Sequence, residues 1–136
     1  MDVDVPRLRQ AFRMVLPQRD QFAERYIAQL KEKDELFAAL VTRTGEDKAQ
    51  EIFLKGVTSV VNALDDADEL ENALFGIGEQ LGSLGLKNTH FPTLKEAFMS
   101  VTREVAGDGF TDDLVKACDE AFGRFKNVIH RGIVAA

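Results

Sequence analysis

Residues 65–92 read DDADELENALFGIGEQLGSLGLKNTHFP. Within them Leu70, Leu74, Ile77, Leu81 and Leu84 recur every three or four positions, which places them on one face of a helix and not on a strand. The turn Asp65-Asp66-Ala67-Asp68 supplies carboxylates where a helix N-terminus favours negative charge. Gly76, Gly78, Gly82 and Gly85 work against the helix, since glycine costs about 1 kcal/mol per site relative to alanine. The expectation is a helix that is short or irregular toward its end, followed by a new one opened by Phe91-Pro92.

The same period runs outward in both directions. Toward the N-terminus, Asp4 and Pro6 predict a capped start, with Val5, Leu8, Phe12 and Val15 on one face until Pro17. A second stripe carries Phe22, Tyr26, Ile27 and Leu30, and a short third carries Leu36, Phe37 and Leu40. Thr44-Gly45-Glu46-Asp47 looks like a cap with acids in the first turn, leading to Phe53, Val57, Val60, Val61 and Leu64. Toward the C-terminus, Leu94, Phe98, Val101 and Val105 form a face broken by Gly107-Asp108-Gly109. Thr111 is positioned to cap a last helix bearing Leu114, Cys118, Ala121, Phe122, Phe125 and Ile129. Period-two alternation is nearly absent. The reading is one all-α domain, residues 1–136, of six to eight helices.

Composition bounds the function. At 136 residues with 45% hydrophobic and 29% charged, the chain is long enough to bury a core without disulfides or metal. Asp plus Glu number 23 against 17 Lys plus Arg, a net charge of −6 that repels nucleic-acid phosphate and anionic membrane surfaces. Cys118 has no partner for an internal disulfide, and the acidic start Met1-Asp2-Val3-Asp4 lacks the apolar stretch of a signal peptide. No apolar run reaches the ~18–20 residues of a membrane span. These features predict a soluble, cytoplasmic domain of bacterial type with no nucleic-acid partner and no membrane span.

Chemistry-bearing motifs fail on context. Gly76-Ile77-Gly78 with Gly82 lies in a helical pattern, where the strand-to-helix phosphate cradle cannot form, and Gly82 through Lys87 lacks the Gly-Lys-Ser/Thr end of a P-loop. A calcium loop counted from Asp66 puts Leu70 and Ile77 where oxygen ligands are needed. Cys118 falls mid-helix on an apolar stripe with no basic neighbour on that face, as a structural cysteine does. His90 and His130, the only histidines, form no zinc-type spacing; His90 stands beside Phe91-Pro92 at a helix start and His130 near a helix C-terminus, where a cation suits the dipole, and both read as structural. No carboxylates pair inside an apolar stripe, so no catalytic residue and no metal ligand is assigned, and an enzyme is the poorest fit.

Three phrases carry a family resemblance: Leu30 through Leu40, His90-Phe91-Pro92, and Thr111-Asp112-Asp113-Leu114 through Ala121-Phe122-Gly123. In their order and spacing the chain resembles a globin, closest to single-domain bacterial haemoglobins and the globin part of flavohaemoglobins. With Gly85 and His90-Phe91-Pro92 as anchors, the resemblance puts the proximal haem-ligating histidine on Leu81, and leucine offers iron no lone pair. It places the wedging phenylalanine on Val41, near Phe37, and the distal His or Gln near Ala49 or Gln50. The distal tyrosine falls on Ile27, next to Tyr26. The tyrosine and glutamate that polarise the proximal histidine fall on Phe91 and around Ile133.

The resemblance therefore implies a globin fold whose haem-chemistry positions have turned apolar. It suggests a pocket lined by Ile27, Phe37, Val41, Phe53, Val57, Leu74, Ile77, Leu81, Phe91 and Phe98, filled by side chains or holding an apolar small molecule such as a fatty acid. No cofactor is expected. The implied role is that of a haem-free sensory or interaction domain with a signalling protein as partner, forming a homodimer through its last two helices. The alternative is a haem protein for oxygen or another diatomic gas, which requires His90, His130 or Cys118 to reach iron, or haem held by contacts alone.

Overall fold

Asp4 accepts the Arg7 N–H at 3.1 Å, and Pro6 stands in the first turn of α1 (Val5–Val15). The computed structural model describes all 136 residues, and the helices begin close to where the capping residues predicted. Pro17 lies in a 3₁₀ turn (Leu16–Gln18) that bends the chain into α2 (Arg19–Lys33). Asp34 then does two things. Its extended backbone ends α2, and its carboxylate accepts the Leu36 N–H at 2.8 Å to cap α3 (Glu35–Thr44).

The following corner has the expected acids, Glu46 and Asp47, in the first turn of the next helix, with glycine as the cap. Thr44 is the last residue of α3, and Gly45 is the cap of α4 (Glu46–Ala63), with no side-chain bond. Gly45 has φ +96°, a backbone conformation that glycine adopts without a Cβ clash. Asp66 caps α5 (Ala67–Ser83) through the Asp68 and Glu69 N–H groups, at 2.9 and 3.1 Å.

Contrary to the sequence expectation, α5 is unbroken through Gly76, Gly78 and Gly82. It ends at Gly85, φ +88°, where the Leu86 N–H reaches the Leu81 carbonyl and the Gly85 N–H reaches Gly82. A 3₁₀ turn (Asn88–His90) feeds α6 (Phe91–Ala106), and the Gly107–Gly109 turn separates it from α7 (Asp112–Ala135). Thr111 occupies the cap position of α7 but makes no side-chain cap bond.

The result is seven α-helices and no strand. The buried stripes converge on one apolar core in which Phe22, Ala97 and Val101 are wholly buried. The most extensive packing joins α5 to α7, while α2 lies against α3, α4 and α6. Along the solvent edge of the α2–α6 pair runs a ladder of three rungs. Arg25 donates to Glu104 at 2.8 Å, Gln29 to Ser100 at 3.0 Å, and Lys33 to Glu96 at 3.0 Å. Such exposed pairs contribute at most about 1 kcal/mol each. No helix is long and apolar enough to cross a membrane.

Candidate functional site

The residues expected to line an interior pocket come from five helices. Ile27, Phe37, Val41, Val57, Leu74, Phe91 and Phe98 are buried, while Phe53, Ile77 and Leu81 are partly buried and pack against the same core. Their arrangement is set mainly by rings. Phe53 of α4 stacks nearly parallel on Tyr26 of α2, with ring centroids 4.0 Å apart and planes 14° from parallel. Phe22 adds contacts at 5.3 Å to Phe53 and 5.6 Å to Phe98. Phe98 of α6 meets Phe122 of α7 edge-on at 5.0 Å. Aromatic pairs in these geometries add about 0.5–1.5 kcal/mol each beyond the area they bury.

Tyr26 takes its place because its one polar atom is satisfied. The hydroxyl donates to the Leu94 carbonyl at 3.1 Å, and burial pushes its ionisation well above the usual tyrosine range, so it stays neutral. Sequence reasoning put the distal position on Ile27. Both neighbours are buried, and Tyr26 is the one that meets Phe53.

Between α4 and α5 the helices touch directly. A Cβ added to Gly56 would lie 3.6 and 3.7 Å from side-chain carbons of Ile77, which is ordinary van der Waals contact. On its other flank α5 meets α7 more closely still. A Cβ on Gly78 would lie 2.8 Å from the Gly132 Cα, one on Gly132 would lie 2.8 Å from the Gly78 Cα, and one on Gly82 would lie 2.7 Å from the Ile133 carbonyl oxygen. Only glycine permits that approach. Arg43, at the end of α3, donates to the Leu84 carbonyl at 3.3 Å and ties the α3–α4 corner to the end of α5.

The three side chains considered as iron ligands sit in different surroundings. His90 accepts the Lys87 N–H through Nδ1 at 2.8 Å, and its ring stands edge-on to Phe37 at 5.9 Å. Cys118 is buried, and desolvation pushes its thiol up to about 11. His130, which the sequence suggested would suit a helix end as a cation, instead buries its Nε2 with no hydrogen-bond partner, beside the Phe91 ring at 6.5 Å. The Asn88 Oδ1 is likewise buried and unpartnered. The structure does not bring these three together, and no cluster of three or more His, Cys, Asp or Glu could hold a metal ion.

Two surface depressions lie elsewhere. One is walled by Arg103, Gly107, Asp108, Phe110, Thr111 and Asp112, the other by Asp2 to Asp4 with Ala117, Glu120, Ala121 and Arg124. Neither includes any residue of the expected interior pocket.

In comparison with known proteins, the family profile described as Globin matches residues 22–129. The chain belongs to the globin family. Two curated relatives of this globin are flavohemoproteins. That of Rhizobium meliloti is 24% identical over 80 residues, covering 59% of this chain and 20% of the relative. That of Chromobacterium violaceum is 28% identical over 74 residues, covering 54% of this chain and 18% of the relative. The globin thus matches a fifth or less of each relative's length.

Sequence reasoning put Tyr26 on the apolar stripe of α2 but left it out of the pocket, and missed Gly56 and Gly132 as determinants of this interior. Gly132 had a signal, since it falls three residues beyond Ile129 on the final apolar stripe. Gly56 had one too, one turn beyond Phe53 and among the apolar positions of α4.

Proposed function

We propose that this globin works without haem, as a sensory or protein-interaction domain whose interior is filled by its own rings. The observation that carries the reading is the Phe53–Tyr26 stack, closed around by Phe22 and Phe98. It favours an interior occupied by side chains over one that holds an apolar ligand such as a fatty acid. Leu81 supports it from the ligand side. In the register implied by the family resemblance Leu81 takes the proximal position, where it packs half-buried against the core and has no donor atom for iron.

In this reading the domain has no catalytic residue and passes a signal by contact with a partner protein. We assign the partner-facing surface, for a second copy of the chain, to α6 and α7. There the partly buried Met99 and Val115 stand one helical turn from the members of the Lys95–Asp119 ion pair. Val115→Arg would then shift a dimer to a monomer in sedimentation velocity. An unchanged sedimentation coefficient would remove this surface from the proposal.

A second reading is haem bound through an unusual ligand, and one observation favours it. His130 Nε2 is a buried imidazole nitrogen with no partner, a group that costs about 1–3 kcal/mol to leave unsatisfied. The deciding experiment is an absorption spectrum of the purified protein before and after hemin is added and the excess removed. No Soret band beyond that of free hemin is the expected result. A stoichiometric band that shifts on reduction and with carbon monoxide would overturn the haem-free reading, and its loss in His130→Ala would identify the ligand.

A further inference from the structure

We infer that this globin excludes haem by helix packing as well as by lacking a ligand, and that Ile77, Gly56 and Phe53 are the residues that do it. The inference rests on the haem-free reading and adds a cause that a change at Leu81 alone would not reverse. A flat macrocycle needs van der Waals separation on both faces, about 3.5–4.0 Å each, so the walls that hold it must stand about 7 Å apart. Between α4 and α5 no such interval exists at the Gly56–Ile77 contact, where a single Cβ on the α4 backbone would already touch the Ile77 side chain at 3.6 Å. One turn earlier on α4, the Phe53 ring lies flat on Tyr26 and edge-on to Phe98, so the side of α4 that faces α2 and α6 is filled by rings as well.

Nor can α5 retreat to open a slot. Gly78 follows Ile77 directly and so points about 100° around the helix, where it rests on α7 with no room even for a methyl group. Gly82 repeats the contact one turn on, against Ile133 and Ala136. Arg43 fastens the end of the helix to α3 through the Leu84 carbonyl. The helix that would carry a proximal ligand is therefore held by α4 in front and by α7 behind.

The test is hemin titration of wild type, Leu81→His, and Leu81→His combined with Ile77→Ala. Helicity is checked by circular dichroism, and imidazole coordination is read from the Soret position and the electron paramagnetic resonance signal. The expected result is that Leu81→His takes up hemin no better than wild type. The double variant should bind at least about tenfold more tightly and show the imidazole-ligated spectrum. Binding by Leu81→His as tight as that of the double variant would overturn the inference, since the interval would then have been open. So would a double variant with no gain, since Ile77 would not be the obstruction. If Leu81→His fails to fold, hemin with free imidazole is titrated against wild type and Ile77→Ala, and the same ordering is required. Stoichiometric hemin binding by wild type without added imidazole would sink the haem-free reading itself, an outcome distinct from these.

Discussion

Between α5 and α7 two helices meet backbone to backbone, with Gly78 and Gly132 so close that a methyl group on either would strike the other's Cα. Among α2, α4 and α6 the helices are instead held together through large rings, Phe22, Tyr26, Phe53 and Phe98. The first region gains dispersion contact from the absence of side chains, the second from their bulk. The two should therefore respond to substitution in opposite senses. Shrinking a residue harms the ring cluster, and enlarging one harms the glycine seam.

The largest effect is expected in the rings. Phe98→Ala removes a buried side chain that touches Phe12, Phe22, Phe53, Tyr26 and Phe122, and should cost about 4 kcal/mol in urea unfolding. A loss under about 1 kcal/mol would mean that the cluster is loosely packed. Next comes the seam. Gly132→Ala should cost about 3 kcal/mol through overpacking, despite the better helix propensity of alanine. Gly78→Ala should do likewise, and the double variant should cost less than the sum, because either methyl alone already parts the helices. Strict additivity would show that the two glycines do not share one contact.

The pH dependence sharpens the contrast, since Cys118 lies on the inner face of α7. Its thiol ionises near 9.0 when unfolded and at about 11 when folded, so the folded state holds its proton more tightly. Stability is then fully present below about pH 9 and falls as pH rises toward 11, by about 2 kcal/mol. Tyr26, raised as well, adds to the decline above pH 10. Unfolding of Cys118→Ala followed from pH 8 to 11 should show a shallower fall, and a slope equal to wild type would remove Cys118 from the account. The smallest effect has the opposite sign. Gly76 sits exposed in α5 with open space where a Cβ would go, so Gly76→Ala should stabilise by up to about 1 kcal/mol.

That last pair of glycines shows what was legible in the sequence. Gly76 and Gly78 look alike to helix propensity, and both read as weak points of α5. Their difference is tertiary. One faces solvent, and the other faces Gly132, more than fifty residues away along the chain. The stripes were legible because a helix buries what its period aligns, and so were the caps at Asp4 and Asp66, which depend on neighbours within three residues. Within Thr44-Gly45-Glu46-Asp47 it is the glycine that caps, and Thr111 holds the cap position of α7 with extended backbone while its hydroxyl makes no cap bond, so residue type located these helix starts without giving the bond.

The interior was legible as a set of apolar residues but not as a set of contacts. Tyr26 and Ile27 are adjacent on α2, and only the crossing of α4 decides which of them receives Phe53. His130 read as a group suited to a helix C-terminus because its distance from the helix end was visible, whereas the burial of its Nε2 and the nearby Phe91 ring were not.

The ladder on the outer edge of α2 and α6 has a consequence for alignment. Its rungs join 25 to 104, 29 to 100 and 33 to 96, so each step of four residues up one helix is matched by four down the other. If α6 slid by one turn toward its own C-terminus, Arg25 would face Ser100, Gln29 would face Glu96, and Lys33 would face Pro92. Both opposite-charge rungs would be lost at once, while apolar side chains behind them could still find oily neighbours. Weak individually, the three pairs act as a vernier: they mark the one setting of two greasy rods at which every graduation coincides.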